Sequence, residues 1–569
     1  MFKFLIFLLS TSLATSCTGL RKASLIPGAK RSSYEAFGKK YMVSSQGKYA
    51  TQAGLDIFEL GGNVIDAAAA ISFVLSVERP QSTGLGGGGF MLYFGAHSDK
   101  PMAIDFREKA PLKAHKNMYL DSAGNVIEKK SLDGIFAAGV PGLVAGIVET
   151  HEKYGKLPLK TILRPAIKLA EDGFKIYPEL AKALGRRASV LVNYPASKKI
   201  FFEKGQVLKE GDHLIQKDLA KTLRSIAANG RNGFYAGWVA NAIVKESLRL
   251  KGLISHRDLR KYNVKQRTPV VGKYKKYEIY SMAPPSSGGV HILQILNILE
   301  NDQLGKLGPQ HPQSIHLTAS AMQAAFADRA KYLGDADFVK VPVAGLISKK
   351  YAKEIRSKFS LSKARKNVIA ENPFPYESSE TTHFTVMDSA GEVVSSTQTI
   401  NGYFGSGVVV PGTGIVLNNE MDDFANKVGA KNLFGAIGGD KNLVHAEKRP
   451  LSSMSPTIVF RDKTPILALG TPSGTRILTC VAQTILNYIE YNLPLYDSVA
   501  AIRYHQQWSP DEIRIDEKGF SSDVEDQLTK MGHSLRHKNL GCRIQAIAKE
   551  NNSLHGVSDP RGQGLSKGL

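Results

Sequence analysis

"ESSETTHFTVMD", residues 377–388, is where the chain changes character. Thr382, Phe384 and Val386 alternate with His383, Thr385 and Met387, the period-two pattern of a strand built from β-branched and aromatic residues. Just upstream, Ser378, Ser379 and Glu380 run into Thr381-Thr382 without a turn-forming Gly or Pro. A strand that begins this abruptly, deep inside a long chain, is not explained by turn chemistry.

The two sides of this point read differently. Before it, apolar spacing predicts helices over 138–154, 159–173, 214–228, 235–250 and 313–333. Two more lie in "ATQAGLDIFELGGNVIDAAAAISFVLSVERP", where Gly61-Gly62 stop the first and Asn63 caps the second. After it, strands alternate with tight turns through residue 460, at "DSAGE" (388–392) and "VVPGTG" (409–414). A helix-rich first two-thirds and a strand-rich last third predict an α+β fold, compatible with a layered αββα arrangement.

Composition bounds the class. The chain has 569 residues, 43% of them hydrophobic and 22% charged, with a formal net charge of +23. Length allows two to four domains and a large core. The charge admits nucleic-acid or anionic-surface binding, but the basic residues are scattered and no nucleic-acid motif is present, which favours a solvated basic surface.

"MFKFLIFLLSTSLATSC" has one early lysine, an apolar run over Phe4–Leu9 and small residues before Cys17, the outline of a signal peptide over 1–17. Its ending is similar to a bacterial lipobox, with Ala14 where Leu is usual, so lipidation at Cys17 and ordinary cleavage nearby both stay open. A polar, basic linker is expected over 18–40, then soluble protein, exported to the periplasm or cell envelope. Cys480 and Cys542 could pair there, but without a supporting pattern they read as unpaired core thiols.

Several motifs carry chemistry. "GLGGGGF" (84–90) matches G-x-G-x-x-G, yet a helix precedes it and a strand follows, which inverts the dinucleotide-binding context. Its glycines still imply close backbone approach. In "DFREKAP" (105–111), Arg107 either pairs with Asp105 or Glu108 or clamps a ligand carboxylate. "LNNEMDDF" (417–424) is a polar turn or an acidic pocket for an ammonium group or metal, with poor metal spacing. "RPLSSMSPTIVF" (449–460) places serines before a strand. "LGTPSGTRI" (469–477) is a strand-to-helix turn suited to an oxyanion or carboxylate. None of the 14 histidines sits in a metal-ligand pattern.

In order, "LGGGGFM", "DFREKAP", "PPSSGG", "FADRAKYLGD", "TTHF", "LNNEMDDF", "RPLSSMSPT" and "GTPSGTR" make the chain resemble the γ-glutamyltranspeptidase family of the N-terminal-nucleophile hydrolases. The likeness runs from about residue 40 to "GVSDPRGQG". It implies a four-layer αββα sandwich built by two subunits, 41–380 and 381–569, cut from one precursor between Glu380 and Thr381. The family's cut exposes a threonine whose α-amine, with an ordinary pKa of about 7.7–8.0, can act as its base.

The same resemblance assigns the remaining roles. Thr399 would bond the Thr381 hydroxyl. Arg107, Ser452 and Ser453 would hold a glutamate α-carboxylate, and Asn401, Glu420 and Asp423 its ammonium. Ser473 and Gly474 would form the oxyanion hole, where two glycines are usual. Phe434, in the loop 425–441, would cover the pocket. The implied activity cleaves glutathione and related γ-glutamyl compounds and passes the group to water, amino acids or peptides, with no metal or organic cofactor and no nucleic-acid partner. A glutaryl or cephalosporin acylase is the rival with the same chemistry, and a non-catalytic envelope-binding protein is the rival without it.

Overall fold

The strand that begins at Thr382 lies inside a seven-stranded antiparallel sheet, next to its central strand Val393–Thr399. A computed structural model of the chain describes residues 31–372 and 382–569. The expected signal peptide with Cys17, and Glu380 with Thr381, lie outside the described residues.

In this sheet the neighbours run Leu565–Gly568, Tyr41–Ser45, Thr382–Asp388, Val393–Thr399, Gly88–Phe94, Met102–Asp105 and Lys265–Arg267. A second antiparallel sheet runs Glu35–Gly38, Ser553–Ser558, Gln545–Glu550, Thr464–Gly470, Thr457–Arg461, Tyr277–Ser281 and Val270–Tyr274. Strand alternation explains how they stack. Phe90, Leu92 and Phe94 join Tyr280, Ile458, Phe460 and Ile547 in a cluster between the sheets. Met91 and Tyr93, one residue out of phase, join the helices on the outer face instead. Helices Gly288–Leu299 and Arg476–Ile485 cover the other outer face. The four layers are helices, sheet, sheet, helices: the α+β sandwich expected of the sequence.

Most of the expected helices are present, at Leu143–Tyr154, Leu159–Asp172, Lys217–Asn229, Gly237–Arg249 and Pro312–Tyr332. The first starts later than 138 because Val140 exchanges two backbone hydrogen bonds with Lys109, which holds that stretch extended. Asn63 caps as its position suggests. Its Oδ1 accepts from the Ile65 and Asp66 N–H groups, and Asp66 Oδ2 accepts from the Asn63 N–H at 2.9 Å. The helix it starts, Val64–Glu78, is buried on all sides.

Two expectations need correction. The stretch assigned to a linker through residue 40 contains strand Glu35–Gly38, paired with Ser553–Ser558 at a sheet edge. Half-exposed edge positions tolerate the polar composition that suggested a linker. Cys480 and Cys542 are joined in a disulfide, with Cα atoms 6.7 Å apart. Where the chain passes from strand Glu35–Gly38 to the other sheet, the Leu569 carbonyl accepts from the N–H groups of Lys39 and Lys40 at 2.8 and 2.7 Å. No helix among the described residues is long and apolar enough to cross a membrane.

Candidate active site

The glycine run leads into strand Gly88–Phe94, and close approach is its purpose. A Cβ at Gly87 would lie 1.9 Å from the Thr399 carbonyl oxygen, and one at Gly88 would lie 2.5 Å from Glu108 Oε2. Side chains there would push apart the two strands that carry Thr399 and Arg107.

Arg107 follows strand Met102–Asp105 and is fully buried. Its Nη1 donates to Glu420 Oε1, and its Nη2 donates to Asp423 Oδ2 at 2.7 Å and to the Leu451 carbonyl at 3.2 Å. Nε donates to the Pro450 carbonyl at 3.3 Å. The guanidinium fork therefore joins the "LNNEMDDF" turn, a 3₁₀ segment Glu420–Asp423, to the strand entry that carries Ser452 and Ser453. The basic and acidic groups that the sequence assigns to opposite ends of an amino acid are in direct contact.

One guanidinium here faces three buried carboxylates, with Glu108 at 3.9 Å. Burial raises the Glu420 carboxyl well above its ordinary range, with Arg107 opposing the shift. Burial likewise pushes Glu108 up to about 7 and raises Asp423, again against the pull of Arg107. For Arg107 burial alone would favour the neutral form, but the charges of Glu420 and Asp423 outweigh it and keep the group cationic. Among the described residues, Asn401 Oδ1 and Ser453 Oγ are buried without a hydrogen-bond partner, while the Glu108 and Glu420 carboxyls share a hydrogen bond with each other. An ammonium group would suit the Asn401 oxygen and the two carboxyls, and a carboxylate would suit the serine hydroxyl.

Backbone geometry presents the remaining groups. Asn401 sits at φ 68°, with its N–H on Thr399 Oγ1 at 2.7 Å and its Nδ2 on the Asn419 carbonyl at 3.0 Å. Ser452 is held by "PPSSGG": its N–H donates to the Pro285 carbonyl at 2.8 Å, and its own carbonyl accepts from Ser287 at 3.0 Å.

Ser473 and Gly474 lie in the turn before helix Arg476–Ile485, at φ 118° and 66°. The helix's first backbone donations come from Arg476 and Ile477 to the carbonyls of these two residues. The amides ahead of Arg476 are therefore outside the helix ladder, at its positive end. Ser473 takes a conformation that favours glycine, and its Oγ–H donates to the Leu540 carbonyl at 2.5 Å. The disulfide lies one turn further on, at Cys480, and its partner Cys542 follows Leu540 by two residues. Both pin the Leu540 loop against the turn.

The loop 425–441 spans the two halves of the site. Asn432 Nδ2 donates to Asp423 Oδ1 at 3.0 Å, and the Leu433 N–H donates to Asp422 Oδ2 at 2.8 Å. The Phe434 ring faces the Arg476 guanidinium, 6.0 Å from ring centroid to Cζ. Arg476 Nη2 in turn donates to Ser473 Oγ at 3.2 Å. Contacts thus run without a break from Arg107 through Asp423, Asn432, Phe434 and Arg476 to Ser473.

The sequence model of the family described as Gamma-glutamyltranspeptidase matches residues 50–569. The chain belongs to the γ-glutamyltranspeptidase family. It is 46% identical over 527 residues to the glutathione hydrolase proenzyme of Escherichia coli K12, covering 92% of this chain and 90% of that protein. Among solved structures, cephalosporin acylase from Bacillus halodurans matches with a TM-score of 0.85 at 26% identity, over 96% of this chain and 98% of that one. The γ-glutamyltranspeptidase of Helicobacter pylori is 47% identical with a TM-score of 0.55, over 58% of this chain and 94% of that one.

Arg107, Glu420, Asp423, Ser452 and Ser453 share one side of this family member's site, Asn401 and Thr399 the adjoining strand end, and Ser473 and Gly474 the far side of the loop. Three contributors lie outside the roles that the resemblance implies, although the sequence offers Asp105 and Glu108 as partners for Arg107 and holds Asp422 in its acidic turn. Glu108 completes the charge cluster, Asp105 accepts the Arg107 N–H at 2.9 Å, and Asp422 holds the loop. Glu108 and Asp105 sit in "DFRE" and Asp422 in "EMDD", so the motifs held the signal, but which carboxylate faces inward depends on the fold.

Proposed function

We infer that this chain is a self-processing γ-glutamyltransferase and glutathione hydrolase, with Thr381 as nucleophile. In this reading the Thr381 hydroxyl attacks the preceding carbonyl, and water hydrolyses the resulting ester. A threonine with a free α-amine is left at the head of residues 381–569. In turnover the same hydroxyl attacks the γ-carbonyl of a γ-glutamyl compound such as glutathione. The amine product leaves, and water, an amino acid or a peptide takes the γ-glutamyl group from the ester.

The observation that carries the reading is the buried fork of Arg107 beside Glu420, Asp423 and Glu108, bonded to the Leu451 carbonyl two residues before the unpartnered Ser453 hydroxyl. A single site with a cation, several carboxylates and unpartnered polar atoms fits a zwitterionic α-amino-acid head. An entering α-carboxylate would take guanidinium donors from Glu420, and the ammonium would take the carboxylate oxygens. The two subunits would stay together as a heterodimer, because strands from either side of residue 380 are hydrogen-bonded neighbours in both sheets. Backbone amides at Ser473 and Gly474 would hold the oxyanion. Residence in the periplasm or envelope is supported by the Cys480–Cys542 bond, since disulfides persist in oxidising compartments.

The test is denaturing electrophoresis of purified wild type beside Thr381→Ala, with a γ-glutamyl anilide assay on both. Two bands and activity in the wild type alone are expected. A fully active, uncut wild-type chain would overturn the reading. The likeness to cephalosporin acylase makes a glutaryl anilide the natural second substrate. A glutaryl group lacks the ammonium, so preference for it would move the assignment to an acylase.

A further inference from the structure

Gln507 joins three parts of the molecule that the reaction scheme leaves unconnected. It is buried, and one side-chain atom, Oε1, meets Thr475 Oγ1 at 3.0 Å, His505 Nε2 at 3.0 Å and Arg514 Nη1 at 3.1 Å. A guanidinium only donates, so the atom facing Arg514 is the amide oxygen. The amide nitrogen must then face the other way. There it donates to the carbonyls of Gly435 and Ser509, both at 3.2 Å. His505 fits this orientation: burial keeps its ring neutral, Nε2–H donates to Gln507, and Nδ1 lies 2.9 Å from the Thr479 hydroxyl oxygen.

Gly435 is the tip of the 425–441 loop, next to Phe434, and turns there with φ 75°. On its other flank the loop is tied by Asn432 to Asp423 and by Leu433 to Asp422. Phe434 therefore sits between tethers on opposite sides, one from the acidic cluster and one from Gln507. Thr475, bonded to the same amide, is the residue from which helix Arg476–Ile485 starts.

We propose that Gln507 is a positioning residue that latches the tip of the 425–441 loop to the turn at Ser473–Thr475, and so sets how well the acyl-enzyme is shielded from water. Its kinetic consequence rests on the γ-glutamyl-transfer reading above; the mechanical latch does not. Loss of the Gly435 bond leaves the loop held on one flank only. Water then reaches the site more often, and hydrolysis gains on transfer.

Gln507→Glu separates the two faces of the side chain. A carboxylate still accepts from Thr475, His505 and Arg514, but presents an oxygen instead of a donor to the Gly435 and Ser509 carbonyls. Gln507→Asn, which shortens the side chain without adding charge, serves if the Glu variant does not accumulate. Processed wild type and variant are treated with trypsin, and cuts after Lys427 and Lys431, both exposed on the loop, are followed by mass spectrometry. Losing one hydrogen bond should speed these cuts about two- to tenfold. Melting temperature should change little, donor KM should rise, kcat for hydrolysis should hold or rise, and the transfer-to-hydrolysis ratio should fall. A folded variant cut at the wild-type rate overturns the latch. Faster cutting with KM and the ratio unmoved overturns its link to the reaction. A wild type inactive on γ-glutamyl anilide faults the functional reading instead, and the proteolysis still decides the latch.

Discussion

Asp105 Oδ1 accepts the backbone N–H of Arg107 at 2.9 Å while Asp105 Oδ2 accepts Arg267 Nε at 2.6 Å. Arg449 Nε lies 3.3 Å from the first of these oxygens, and all three partners are largely buried. One carboxylate thus sets the direction in which the chain leaves the sheet at Arg107. Asp105→Asn should leave two buried guanidinium groups short of charge. Removing one partner from such a set typically loses about 3–5 kcal/mol. Urea unfolding should show a loss near the lower end of that range, because Arg267 also pairs with Asp337.

Arg107→Lys keeps the charge and removes the fork. One ammonium cannot reach Glu420, Asp423 and the Leu451 carbonyl in the same geometry. Losing one or two charge-assisted hydrogen bonds, each about 1.5–3 kcal/mol, should lower kcat/KM on a γ-glutamyl anilide by roughly 10- to 10⁴-fold. The fall should come mainly through KM, measured on enzyme shown by electrophoresis to be processed.

Ser473 is the one non-glycine residue in its turn at strongly positive φ, and its hydroxyl bonds to Leu540 and Arg476 offset the strain. Ser473→Ala keeps the strain and removes both bonds, so it should lose about 1–2 kcal/mol. Ser473→Gly removes the bonds and the strain together and should fall between alanine and wild type. Denaturant midpoints in that order would support the account, and an alanine variant as stable as wild type would refute it.

Asp328 accepts from Gln294 Nε2 at 2.7 Å, the Tyr351 hydroxyl at 2.8 Å and the Glu371 N–H at 3.2 Å. Burial still outweighs these donors and pushes its carboxyl from 3.8 up to about 7. A carboxyl raised on folding binds more protons in the native state than in the unfolded one. Its contribution to stability is full below pH 4 and is lost as pH rises through 7. Asp328→Asn cannot titrate. The stability difference, wild type minus variant, should therefore decrease between pH 5 and pH 8, which urea midpoints at both values would show.

Much of this was legible from residue types. "DFRE", "NNEMDDF" and "LSSMS" name a basic fork, an acidic turn and small donors, and Asn63 followed by Asp66 is a cap on inspection. What stayed hidden depends on pairing across long separations. Two cysteines 62 positions apart carry no local pattern. Strand Glu35–Gly38 is polar enough to pass for a linker because only one of its residues is buried. Gln507 means little until Gly435, 72 positions away, is placed against it. That Arg107 meets Glu420 and Asp423 directly was equally out of reach, since residue type cannot tell a ligand's partners from each other's.

The bonds from Lys39 and Lys40 to the Leu569 carbonyl bring the end of the chain beside its first strands. A linker long enough to run back along strand Glu35–Gly38 from residue 569 to residue 31 would close the backbone into a ring with every strand neighbour kept. Opening that ring between 380 and 381 gives a circular permutant whose gene starts at Thr381. Removal of the initiator methionine would then supply the free amine by translation, and activity without any self-cleavage step would separate maturation from catalysis in a single polypeptide.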